Sequence, residues 1–176
     1  EGHLDVAQLL LDKGKALVNQ ASDNGCTPLY LACQNGLLEV TQLLLDNNAN
    51  VDQARDSGVS PLFVSVANGR QDVAKLLLER GANVNQATII DRTPLHAAAQ
   101  QGNMDMTRLL LDSGAAVDAA DVEGFTPLYW GASHWVHADV ARLLLERGAT
   151  VDTKSKDDAK VWEVLQPLLI EAGQLP

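Results

Sequence analysis

The side chains best suited to chemistry in this 176-residue chain are four histidines, two cysteines and a few acid pairs. His134 and His137 lie three apart with Asp139 close behind. On one helical turn, that spacing would offer two imidazoles and a carboxylate to a metal ion. The surrounding segment argues otherwise. It carries a one-residue insertion, falls where a turn between helices belongs, and puts Trp135 where matching turns have Gly36, Gly69 and Gly102. A rebuilt turn with polar surface side chains fits it better, so no metal and no cofactor is expected. Asp157-Asp158 reads as a helix N-terminus, where carboxylates suit the dipole, rather than as an acid–base pair. His96 reads as an imidazole bonded to nearby loop backbone. No serine or cysteine occupies a nucleophile elbow, and the glycines are spread one per turn instead of gathering into a phosphate cradle. These residues point away from catalysis.

The elements that hold them repeat. Thr27-Pro28-Leu29, Ser60-Pro61-Leu62, Thr93-Pro94-Leu95 and Thr126-Pro127-Leu128 follow one another every 33 residues. Each is followed by a leucine run, at Leu43-Leu44-Leu45, Leu76-Leu77-Leu78, Leu109-Leu110-Leu111 and Leu143-Leu144-Leu145. A period of this length signals a stack of small units rather than one globule. In each unit a Thr or Ser hydroxyl can cap a helix and proline fits its first position. The short helix that follows ends near Gly36, Gly69 or Gly102. The second helix, such as 71–80, carries Val73, Ala74, Leu76, Leu77 and Leu78, an apolar surface too wide for one neighbour. Asn48, Gly81, Gly114 and Gly148 stand where these helices should end in a left-handed residue, and Arg80 and Arg147 suit the last-turn dipole.

Composition narrows the function classes. The net charge is −10 and no window forms a basic stripe, which argues against nucleic acid as partner. No apolar run reaches the roughly 18–20 residues of a membrane helix. Cys26 and Cys33 suit a reducing compartment without a disulfide framework, so an intracellular, cytoplasmic and monomeric protein is expected.

Thr93 to Ala119, with Thr-Pro-Leu-His, a mid-unit glycine, a leucine run and Gly-Ala in fixed order, resembles an ankyrin repeat almost throughout. The resemblance extends over residues 1–154. It implies an all-α repeat solenoid of helix–turn–helix units with β-hairpin turns at right angles. The expected divisions are a partial repeat at 1–21, full repeats at 22–54, 55–87, 88–120 and 121–154, and a capping segment at 155–176. In that cap, Pro167 should start a new helix or kink the existing one.

The resemblance also implies a non-catalytic module that binds a protein or peptide partner through its hairpin tips and the inner face of the first helices. The alternative is a targeting or regulatory segment of a larger enzyme or channel, in keeping with the half-repeat at Glu1. Two tips depart from ordinary turn chemistry. Ile89-Ile90 gains nothing locally from β-branched side chains, and Asp91 follows where other tips have glycine. Val122 and Phe125 flank Glu123-Gly124 in the next tip, with Cys26 and Val59 at the places matching Phe125. Side by side, Ile89, Ile90, Val122 and Phe125 would form an apolar patch of the kind that marks interactions. The other possibility is that Ile89 or Phe125 tucks between hairpins as packing. The candidate partner-binding residues are Ile89, Ile90, Arg92, Val122, Glu123 and Phe125, with Asp56 and Val59 in the preceding tip. Gln34, Asn68, Gln101 and His134 join them from the polar ends of the first helices, beside Asn35, Gln100 and Ser133. Trp130 matches Leu31, Val64 and Ala97, which predicts core filling, with Gly131 making room for it.

Overall fold

The computed structural model describes residues 17–133, 138–173 and 175. Ten helices, and no strand, occur among them. The chain divides into two compact units, residues 1–89 and 90–176.

In the first unit, α1 (Pro28–Asn35) pairs with α2 (Leu38–Asp46), and α3 (Pro61–Ala67) with α4 (Gln71–Glu79). First helix packs on first helix and second on second. The starts follow the cap chemistry: Thr27 Oγ1 accepts from the Tyr30 N–H at 3.1 Å, and Ser60 Oγ from the Phe63 N–H at 3.1 Å. Proline follows each cap, where its missing N–H costs nothing. The second helices end in left-handed residues, Asn48 at φ 65° and Gly81 at φ 83°. Leu29, Leu44, Leu62, Val73 and Leu77 are buried between the layers. Each such side chain stabilises by roughly 1.5–3 kcal/mol relative to exposure. Buried hydroxyls are satisfied within their own helices, Thr41 on the Leu37 carbonyl at 2.9 Å and Ser65 on that of Leu62 at 2.7 Å.

In the second unit, α5 (Pro94–Gln100) and α6 (Met104–Asp112) form one pair, α7 (Pro127–Ala132) and α8 (Ala138–Glu146) the next. The closing segment is a five-residue helix α9 (Thr153–Asp157) and a longer α10 (Ala159–Glu171) laid on α7 and α8. Asp158 does start a helix: its Oδ1 accepts from the N–H groups of Lys160 and Val161 at 3.0 and 3.3 Å. Pro167 begins no new helix, because α10 runs through it. Both Pro167 and Glu163, the residue four positions before it whose carbonyl the proline cannot bond, are exposed.

Arg80 and Arg147 do more than face a dipole. Each reaches back to the preceding repeat, Arg80 to Asp46 at 3.0 Å and Arg147 to Asp112 at 2.7 Å. The polar residue that follows Val18, Val51 and Val117 is a second latch between repeats. Asn19 Oδ1 accepts from the Asn50 N–H at 2.7 Å, Asp52 Oδ1 from that of Asn83 at 2.9 Å, and Asp118 Oδ1 from that of Thr150 at 2.9 Å.

Candidate interaction surface at the hairpin tips

The turns joining repeats are closed as tight hairpins without a regular ladder. At one, the Arg55 N–H donates to the Val59 carbonyl at 3.1 Å and the Gly58 N–H to that of Arg55 at 2.8 Å. The Ile89 N–H then donates to the Ser57 carbonyl at 3.1 Å. A Cβ on Gly58 would lie 2.7 Å from that same nitrogen, so the approach of the next turn requires glycine there. Asp91 adopts the same left-handed conformation, at φ 56°, that Gly25, Gly58 and Gly124 hold in their turns.

Ile89, the last residue of the first unit, is 71% exposed. In the second unit Ile90 is 44% and Val122 61% exposed, and the Val122 N–H donates to the Ile90 carbonyl at 3.2 Å. The Val122 turn is held from beneath by Asp121. One carboxylate oxygen accepts from the N–H groups of Glu123 and Phe125, both at 3.0 Å, and the other meets Arg92 Nε at 3.4 Å. Burial works to raise the Asp121 carboxyl, but these donors outweigh it and hold it below its ordinary value.

Phe125 does not join the exposed patch. Its ring stacks on Tyr129 at 4.3 Å and meets Trp130 edge-on at 5.9 Å, while Lys154 Nζ lies 4.6 Å above it. Trp130 is half-buried rather than core-filling, and the Arg92 guanidinium covers it at 4.1 Å. A Cβ on the neighbouring Gly131 would face Val140, Ala141 and Leu144 of α8 at 3.4–3.7 Å. Tyr129 donates its hydroxyl to Asp158 at 2.9 Å; burial first, then this acceptor, raises the phenol above its ordinary value.

Among the other candidates, Asp56 and Glu123 are exposed, and Val59 is half-buried. Gln34, Asn35, Asn68, Gln100 and Gln101 are exposed at the helix ends. Asn35 Nδ2 donates to the Leu31 carbonyl and Asn68 Nδ2 to that of Val64, both at 2.8 Å, which leaves their oxygens as acceptors. His134, with Trp135 and His137, lies outside the described residues. Leu31, 47% exposed, was not singled out by the sequence, because the same place holds buried Val64 and Ala97 in later repeats.

His96 is buried and bonded on both sides. The Thr93 N–H donates to Nδ1 at 3.0 Å, and Nε2–H donates to the Phe125 carbonyl at 3.1 Å. Burial lowers its pKa, which keeps the neutral ring that this arrangement needs.

The family model for ankyrin repeats (three copies) matches residues 1–88 and 85–155. This chain belongs to the ankyrin repeat family. Ankyrin repeats are generally protein–protein interaction modules, and the family is typically non-catalytic. The chain is also similar to "Ankyrin repeat and KH domain-containing protein mask-1" of Caenorhabditis elegans, 42% identical over 48 residues. That match covers 27% of this chain and spans 2% of the relative's length. Among the described residues, no helix is long and apolar enough to cross a membrane.

Proposed function

We propose that this ankyrin array is a non-catalytic protein-interaction module whose partner docks on the hairpin tips. The observation that carries the reading is the pair Ile90 and Val122, exposed on successive tips and joined by a backbone hydrogen bond. Apolar side chains so placed gain nothing from their own fold, and covering them rewards a partner. The tips are also held by Asp121, so binding orders little that was loose. The polar helix ends, at Gln34 and Asn68 in the first unit and at Gln101 in the second, offer each unit further polar contacts. A displayed peptide library, selected on the intact protein and re-tested against Ile90→Ser/Val122→Ser, tests this reading. Selected ligands should lose most of their affinity for the double variant; ligands that bind it undiminished would place the site elsewhere. The great length of the matched relative supports a second reading, in which the array is the recognition segment of a longer protein. Sequencing the full transcript tests it.

A further inference from the structure

We propose that the tip surface of the second unit is a seat for a basic peptide segment of a partner protein, anchored by apolar side chains; this rests on the tip reading above. Ile90 and Val122 supply the apolar contact, and Asp91 and Glu123, both exposed, stand next to them in sequence. Asp91 brings a carboxylate to a place that is glycine in three other turns, at Gly25, Gly58 and Gly124.

The cations nearby are engaged elsewhere. Arg92 is paired with Asp121 beneath the turn and lies over Trp130. Lys154 lies over Phe125, on the Gly124 side of the turn. Among the described residues, neither Asp91 nor Glu123 belongs to an ion pair. The seat is therefore apolar with an acidic border, and the net charge of −10 attracts cationic segments from a distance. The chain supplies its own small example of the chemistry: an ammonium group resting on an aromatic face beside this turn. An acidic segment would meet like charge at the border, and a neutral one would leave both carboxylates unused.

Three sets of short synthetic peptides test this with the intact chain, each carrying a leucine pair flanked by Lys and Arg, by Asp and Glu, or by Ser and Gln. Fluorescence polarisation measures binding at low and at physiological salt. The basic set should bind about tenfold or more tighter than the acidic set and weaken as salt rises. Asp91→Asn/Glu123→Gln should weaken the basic set by about three- to tenfold, the range of one or two exposed ion pairs. A control with the same change in net charge, Asp105→Asn/Glu146→Gln, should leave it nearly unchanged. Ile90→Ser/Val122→Ser should remove binding while the circular dichroism spectrum stays the same. If the neutral set binds as tightly as the basic one and still depends on Ile90 and Val122, the charge inference fails and the tip reading survives. If the control weakens it equally, the charge inference alone fails; if binding ignores Ile90 and Val122, both fail. Absence of any binding by the basic set overturns the proposal.

Discussion

The latch at Asp118 makes the clearest energetic test of how the repeats are joined. Both carboxylate oxygens are engaged across the repeat boundary: Oδ1 accepts from the Thr150 N–H and Oδ2 from the Thr150 hydroxyl, each at 2.9 Å. Asp118→Ala removes both acceptors. A hydrogen bond to a charged group is worth about 1.5–3 kcal/mol at best and a neutral one about 1 kcal/mol. Both residues are exposed, so water takes over part of each bond. The expected loss is therefore about 1–2 kcal/mol in total. Asp118→Asn keeps one oxygen acceptor, and Asn19 already performs this task for the Asn50 N–H at 2.7 Å. Its loss should stay below about 0.7 kcal/mol, with the neutral bond retained. Urea unfolding reads both numbers, as a shift in midpoint with an unchanged slope. Hydrogen exchange at the Thr150 amide reads the latch directly, and should accelerate in the alanine variant alone. The account fails if Asp118→Ala leaves the midpoint in place, or if asparagine is as damaging as alanine.

Three further outcomes follow from the same geometry. Gly131→Ala should stabilise the second unit by about 0.5–1 kcal/mol, since alanine is the better helix former and its methyl would meet α8 at ordinary contact distance; a lowered melting temperature would refute this reasoning. His96 is held neutral, with its folded pKa depressed, so its share of stability is whole above the unfolded histidine value of about 6.5 and is lost as pH falls through the folded value. The urea midpoint of the wild-type chain should therefore fall more steeply on acidification than that of His96→Gln, and equal slopes would refute the burial argument. Burial pushes the Cys33 thiol up to about 12, outweighing the bond from Thr41 that lowers it, whereas Cys26 is only half-buried. Iodoacetamide under native conditions should label Cys26 and spare Cys33 until urea is added, as read by mass spectrometry of the two peptides.

What was legible in the sequence is what short-range chemistry decides. Thr27, Ser60 and Thr126 cap helices through bonds to residues three positions on, and Asn48 takes the left-handed conformation of Gly81 because a helix end asks for it locally. The exposure of Ile89, Ile90 and Val122 was legible for the same reason: a turn tip has few neighbours to hide a side chain. Phe125 was not. Its orientation depends on Tyr129, Trp130 and Lys154, and Lys154 is the last residue of the final repeat, on the short helix α9 that has no counterpart in the earlier repeats. The covering of Trp130 by Arg92 was equally hidden, since the two are 38 positions apart and no repeat register pairs them. The only early sign was the concentration of aromatic residues at 125–135 in a chain that is 4% aromatic.

The aromatic cluster and the apolar tip thus divide a task that composition alone would have merged. Phe125, Tyr129 and Trp130 look like interface anchors, since large aromatics are favoured there. Their faces, however, are occupied by one another and by Arg92 and Lys154. They brace the turn from within, while Asp121 fixes its backbone. What the braced turn presents outward is Val122, set beside Ile90 and bordered by two carboxylates. Exposed residues of this kind usually change stability by less than about 0.5 kcal/mol when replaced. Substituting Ile90 or Val122 therefore probes recognition with folding left almost untouched, whereas substituting Phe125 would disturb both at once and could not tell them apart.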